Sequence, residues 1–436
     1  MFRRSATRDR GALRESLAAW PRSRAPDRKR SPLRSWSFRH LAVAYVINEL
    51  GNWVGDVALA VLVFDHTASA VATAALFVSL RFLPAGIAPL LAVRLEVLDT
   101  GRVLTASYLL EGLLFAGIVL LASRFSLPAV LVLATIDGVL AVTASALSRS
   151  ATTALLLPDG ALRRGNAFLN LGFSASGTVG PALAGALVGA LGAGSALAVD
   201  AGTFAAVAAI VATAGRLTVH SDATTGAGGR LGAGFREVWS RPSARWLLGA
   251  HALALVFFTA VVPVEVIYAK QTLHAGDSGY GALLTAWGAG MVLGGIAFAA
   301  VRRVPLLIVL AASTALIGAG YAGLSVAPGL ALACAFSAIG GLGNGAQWVG
   351  LLTAVQHAVP AVTQTAVMAL LGSLSQVMPA AGFIVGGLLA ALASPRTTYA
   401  VAAGGVLVVL LAAAALRPGD LPATGAGVRP VPAASD

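Results

Sequence analysis

HLAVAYVINELGNWVGDVALAVLVF, residues 40–64, decides how this chain must fold. The segment is long enough to cross a hydrocarbon layer as a helix, which takes about 20 mostly apolar residues. Yet it carries Asn48, Glu49, Asn52 and Asp56. Glu49, Asn52 and Asp56 stand at i, i+3 and i+7, so a helix puts them on one face, with Asn48 at its border. Carboxylates and amides cannot face lipid, so this face points at a partner helix or a wet cavity. Gly51 and Gly55 form a G-x-x-x-G step on another side, suited to close helix packing. The segment therefore reads as one membrane helix of a larger bundle.

The rest of the chain agrees. Of 436 residues, 57% are hydrophobic and 11% charged, with mean hydropathy +0.83. An average soluble domain has about 25% charged residues, and this chain could not cover a soluble surface. The 50 glycines suit close helix contacts in lipid. Cys334 is the single cysteine, which rules out an intrachain disulfide and any cysteine-based zinc site. No G-x-x-x-x-G-K-[ST] loop occurs. Gly341-Leu342-Gly343-Asn344-Gly345 mimics a nucleotide loop but lies in an apolar run, where tight helix packing is the expected reading. The chain is thus expected to be no enzyme, with no metal and no cofactor.

Apolar segments fall at 40–64, 68–92, 103–122, 127–147, 166–190, 195–215, 244–268, 279–301, 304–324, 329–353, 364–391 and 396–416. The expected organisation is a basic, disordered cytoplasmic tail (1–37), a six-helix bundle (38–216), a cytoplasmic linker (217–242), a second six-helix bundle (243–416) and a disordered tail (417–436). Charge tests the count. With the N-terminus inside, the inner segments hold 26 Lys and Arg: twelve in the tail, then Arg94, Arg102, Arg149, Arg163, Arg164, Arg216, Arg230, Arg236, Arg241, Arg245, Arg302, Arg303, Arg417 and Arg429. The outer loops hold three, Arg124, Lys270 and Arg396, and only Arg81 stays in the membrane. This is the positive-inside pattern, with both termini cytoplasmic. It also explains the net charge of +12 without nucleic acid. The basic tail fits anionic lipid headgroups, or a disordered segment without a specific role.

The halves repeat. Ser37-Phe38-Arg39-His40-Leu41 opens the first span and Ser243-Ala244-Arg245-Trp246-Leu247 the seventh. Asn166 and Gln364 each precede a proline, Pro181 and Pro379, by the same spacing, and each proline has a glycine eight residues on, Gly189 and Gly387. Two such halves place a site between them near mid-membrane.

Counted along the helices at about 1.5 Å per residue, Glu49, Arg81, Glu111 and Asp137 fall near the midplane. His251 and Glu265, the ionisable groups within C-terminal spans, do not. An acid near Arg81 is either a proton carrier or half of a buried ion pair, and both readings stand for Glu49 and Asp137. Asp56, nearer the outer end, and Asp200 are expected to be structural.

These residues resemble the major facilitator superfamily, especially its macrolide-efflux and enterobactin-exporter-like branch, over about residues 37–416. NELGNWVGDVALAVLVFDHTASA, Leu80-Arg81-Phe82-Leu83-Pro84-Ala85 and ALLLPDGALRRGNAF carry the likeness. SGTVGPALAG is similar to the antiporter motif gxxxGPxxGG, matching at Gly180, Pro181 and Gly185, with Ser176 and Ala184 in place of two glycines. The resemblance implies an all-α membrane protein of twelve transmembrane helices in two six-helix bundles related by a pseudo-two-fold. It implies a bent, closely packed fifth helix that helps seal the transporter. The chain departs at VRLEVLDTGR, where Val93 and Val97 replace the usual Gly and Asp of the loop after the second helix, at Glu111, which reverses a common Arg, and at Ala134, where drug antiporters carry Arg.

The expected function is proton-coupled export of a small amphipathic molecule by alternating access from a plasma-membrane monomer. Glu49, Asn52, Asp56, Arg81, Asp137 and Glu111 are the expected coupling and cavity residues. A nutrient importer of the same fold and a non-transporting sensor are the alternatives.

Overall fold

The computed structural model describes residues 31–95, 98–121, 124–215, 217, 227–301, 304–359 and 363–414. Most of the two expected tails, residues 1–30 and 415–436, lies outside the described residues.

Among the described residues, twelve long helices follow the apolar pattern and one further helix forms in the linker. α1 is Trp36–Thr67. α2 joins Ala70–Phe77, a π turn at Val78–Phe82 and Leu83–Leu95. α3 is Thr100–Leu121, α4 Leu127–Leu156, α5 Leu162–Leu191 and α6 Ala193–Ala212. The linker folds as α7, Ala227–Ser240. α8 starts at Pro242–Ala260, breaks at Val262–Val264 and continues as Glu265–Ile267 and a π turn at Tyr268–Thr272. α9 is Gly276–Ala300, α10 Leu306–Val326, α11 Leu330–Ala358, α12 Gln364–Leu392 and α13 Pro395–Ala414.

Local chemistry sets the ends. Ser35 and Ser69 cap α1 and α2, their hydroxyls accepting from the backbone N–H of Phe38 and Ala72 at 3.2 Å each. Proline opens α4, α8 and α13, where its missing N–H costs nothing. Gly192, at φ 81, makes the sharp reversal between α5 and α6.

Eleven of the twelve long helices are apolar enough to cross a membrane by length and hydropathy. The twelfth, α11, has the length, but its glycines, Asn344 and Gln347 dilute it. Those glycines do packing work: Gly341 and Gly345 lie flat on the Trp287 and Met291 carbonyls of α9. The phosphate-loop mimic is thus a helix crossing.

The exterior is studded with exposed Leu, Ile, Val and Phe, among them Leu113, Leu120, Val132, Leu293, Ile296 and Leu411. The interior is where α1 becomes buried on every side, from Val57 through Phe64. A belt of this kind suits acyl chains, and the chain is an integral membrane protein.

The internal repeat is real at the level of packing. In the first half α1 packs on α5 and α6, α2 on α4, and α3 on α4 and α6; in the second, α8 packs on α12 and α13, α9 on α11, and α10 on α11 and α13. Each contact maps onto its counterpart seven helices later. The contacts between halves swap in the same way, α5 on α9 and α2 on α12. This is a pseudo-two-fold relating two six-helix bundles.

Candidate functional site between the two bundles

The end of the molecule bearing the first and last residues of each half is called the terminal end here, and the other the distal end. The halves are sewn together at the distal end. A Cβ placed on Gly185 would lie 2.6 Å from the Cα of Gly281 on α9, so both positions require glycine. Gly180 lies against Trp53 of α1. Pro181 sits inside α5, and its carbonyl oxygen would be 2.8 Å from a Cβ on Gly281. The resemblance pointed at this seam, but Gly281 was missed because nothing in its own sequence marks it. The repeat supplies the matching seam: Gly387 of α12 lies on Ala70 and Ala74 of α2, and Phe77 meets Phe383 at 5.6 Å.

Lys270 ties the same end across the halves. Its ammonium donates to Asp65 of α1 at 2.5 Å and reaches Asp277 of α9 at 2.6 Å. We expect Lys270→Ala to loosen this latch. A cysteine at Ala74, in a Cys334→Ala background, should then react about two to five times faster with an impermeant thiol reagent on the distal side, the range a partly exposed ion pair supports. Unchanged labelling would mean the glycine seams hold the end alone.

Past this seam α2 parts from α12. Its first half and π turn pack on α12, while Leu83–Leu95 packs mainly on α4. Arg81 stands where they diverge, on the π turn, with 53% of its side chain exposed. A π turn inserts an extra residue into a helix and re-aims its side chains.

The guanidinium pairs with Asp56 of α1. It also acts on Glu49 and Asp137. The sequence left Glu49 and Asp137 as either proton carriers or halves of a buried ion pair and took Asp56 as structural; the geometry gives the ion pair to Asp56. Glu49 accepts from the Tyr45 hydroxyl and lies within reach of Arg149. Asp137 is buried, and its Oδ1 has no partner. Asn52 is half-buried on the same α1 face.

Two further acids stand behind this group. Glu111 of α3 is 1% exposed, with neither carboxylate oxygen partnered. Asp200 of α6 is fully buried, lies directly on Gly51 and Gly55 of α1, and accepts from Thr203 Oγ1 at 2.9 Å. The G-x-x-x-G step therefore makes room for a carboxylate rather than for bare helix backbone. Glu111 is within electrostatic reach of both Asp137 and Asp200. Among the described residues no group of three or more His, Cys, Asp or Glu could hold a metal ion. Asp99, in the altered loop, caps α3 by accepting from the Arg102 N–H at 3.0 Å.

Two six-helix bundles joined at one end, with an ion pair of the first bundle beside the seam, define a membrane transporter of the major facilitator fold. The profile of the family described as transmembrane secretion effector matches residues 28–427, and the chain belongs to that family. No curated protein matches the sequence. Among solved structures, the nucleoside transporter NupG superposes with a TM-score of 0.69 at 13% identity, over 87% of this chain and 98% of that one. A bacterial homolog of the human lysosomal transporter Spinster, inward-facing and occupied, gives 0.70 at 12%, over 91% and 100%. A bacterial homologue of the iron transporter ferroportin, inward-facing, gives 0.68 at 16%, over 88% and 99%. These likenesses concern the fold.

Proposed function

We propose that the chain is a secondary active exporter of a small amphipathic molecule. Protons drive it, and the two bundles rock about the cleft at Arg81. The observation that carries this reading is the state of Asp137. It is buried at membrane depth with an unpartnered oxygen, beside an arginine already engaged by Asp56. A carboxylate in that position is neutralised either by a proton or by an incoming cation. It can exchange one for the other as the cleft opens and closes.

Export is favoured by the family description, which speaks of secretion. The orientation rests on charge. With both termini in the cytoplasm of a plasma (inner) membrane, the terminal end faces inward, and the glycine seams that join the halves lie at the outer end. The protein works as a monomer in this reading, with lipid headgroups as neighbours of its basic terminal end.

Two measurements test it. A reporter active only outside the cell should give signal when fused at Ala193 or Lys270 and none at Thr225; signal at Thr225 would overturn the orientation. A deletion strain should become more sensitive to, or accumulate, at least one amphipathic compound, and an uncoupler should erase the difference from the parent. A difference that survives the uncoupler excludes proton drive.

A further inference from the structure

Residues 227–245, α7 and the start of α8, carry four arginines, Arg230, Arg236, Arg241 and Arg245, against one acid, Glu237. That acid is already paired with Arg241. Arg236 and Arg245 are exposed and make no ion pair among the described residues.

A helix turns about 100° per residue, so α7 presents its side chains in stripes. Gly234 and Val238 form one stripe, and it is seated on α12: Gly234 lies on the Ala366 carbonyl, and Val238 packs in a cluster with Val367 and Leu371. Phe235 and Trp239 form the next stripe. Both are more than half exposed, and their rings stack on each other at 5.5 Å. Arg236 and Ser240 follow on the polar side, both exposed. α7 joins the terminal end of α6 to that of α8, so it runs where the lipid-facing belt ends. A helix with aromatic rings on one side and arginines beside them lies in the plane of a membrane interface. Tryptophan suits that depth, with an apolar body and an N–H that stays wet.

The other half carries the same device. Arg39 and Arg245 hold matching places in the repeat, within residues 37–41 and 243–247. Each guanidinium lies over an exposed indole, Arg39 over Trp36 at 5.1 Å and Arg245 over Trp239 at 5.7 Å. The tryptophans themselves do not match: Trp36 stands three residues before its arginine and Trp239 six. Two different chain routes thus reach one arrangement at corresponding places. The surroundings those places share are the rim of the bilayer. Hydrogen bonds hold both pairs in position: Trp36 Nε1 donates to the Thr213 carbonyl oxygen at the end of α6 at 3.2 Å, and Arg245 donates to the Trp239 carbonyl oxygen at 3.4 Å.

We propose that the uncovered face of α7, with the Trp239–Arg245 pair, docks on a leaflet of anionic phospholipid. Phe235 and Trp239 enter the acyl boundary, and Arg236 and Arg245 meet headgroup phosphates. Glu237 does not oppose them, because Arg241 answers its charge. The docked helix fixes the terminal end of α12, on which it rests. This goes beyond the transport reading and does not depend on it.

A nitroxide on Gly232→Cys in a Cys334→Ala background tests the docking. Gly232 is exposed, no atom stands within 4 Å of where its Cβ would be, and it borders the Phe235–Trp239 stripe. The full chain is placed in nanodiscs of phosphatidylcholine, with or without phosphatidylglycerol. Exposure of the label to oxygen, which favours lipid, is compared with exposure to a water-soluble nickel chelate. With phosphatidylglycerol the label should sit in lipid. In phosphatidylcholine alone the docked fraction should fall, and high salt should lower it as well. Arg236→Gln/Arg245→Gln should cut the docked-to-free ratio about fivefold for each arginine removed. Arg236→Lys/Arg245→Lys keeps the charge and should retain most of the docking. Trp239→Ala should weaken docking in both lipids, and a label on Ser240→Cys should meet the chelate throughout. A Gly232 label open to the chelate in both lipids overturns the inference. Equal protection in both lipids, unmoved by the Gln variants, overturns it too, since apolar burial alone then holds the helix. Spin–spin broadening between labels would put a second copy of the chain on this face and would likewise overturn it.

Discussion

Arg81→Ala is expected to remove both transport and much of the folded protein. Three carboxylates, Asp56, Glu49 and Asp137, lie within reach of this one guanidinium. Asp56 alone holds it directly. Breaking a fully buried pair costs about 3–5 kcal/mol. Arg81 is half-exposed to the cleft, so water offsets part of the loss, and about 1–3 kcal/mol is the expected cost. The remaining damage is functional: without the cation, the acids repel one another and must take up protons together. Arg81→Lys keeps the charge but not the planar fork, and should fold yet transport poorly. The double variant Asp56→Asn/Arg81→Ala should recover folded yield without recovering transport, because it removes the stranded charge. Size-exclusion profiles of tagged protein read the folded yield, and vesicle transport reads the activity. A stable, fully active Arg81→Ala protein would show the pair to be dispensable.

The architecture was legible because lipid imposes it. A span must be apolar for about 20 residues, and each helix lies within a few residues of its apolar segment apart from the longer inner ends of α4 and α11. The side-chain constellation was less legible, and particular residues show why. Asp56 was ranked by its distance along α1, but pairing depends on where α2 aims Arg81, and the π turn at Val78–Phe82 leaves no clear mark in the sequence. Gly51 and Gly55 announced a close approach without saying by what; the answer, Asp200, lies five helices later. The linker was expected only as a cytoplasmic connection, yet 227–240 forms a helix whose Gly234 rests on Ala366 of α12. Local pattern fixes what each helix is; tertiary contact decides which polar atoms meet.

Asp137→Asn is expected to abolish uphill export and Glu49→Gln to reduce it, while both leave the protein in the membrane. Both substitutions keep size and hydrogen-bonding capacity and remove the ability to carry a charge or release a proton. The two sites differ in surroundings. Glu49 has the Tyr45 hydroxyl and the distant pull of Arg81 and Arg149, so its charge is partly answered. Asp137 is within electrostatic reach of Arg81, but that guanidinium is engaged by Asp56, and Glu111 is within reach as well. Asp137 is therefore the stronger carrier, and its Asn variant should lose uphill transport altogether. Glu49→Gln should retain some activity at a shifted pH dependence. Downhill exchange of substrate across vesicles should survive in both, since it needs the cleft to rock but no proton to cross. Glu111→Gln is the control. Its carboxyl sits deeper, between α3 and α6, so this change should alter rates without uncoupling. The readout is substrate accumulation under an imposed pH gradient, compared with exchange in its absence. If Asp137→Asn still concentrates substrate and responds to pH as the parent does, Asp137 is a packing element and the coupling proton binds elsewhere.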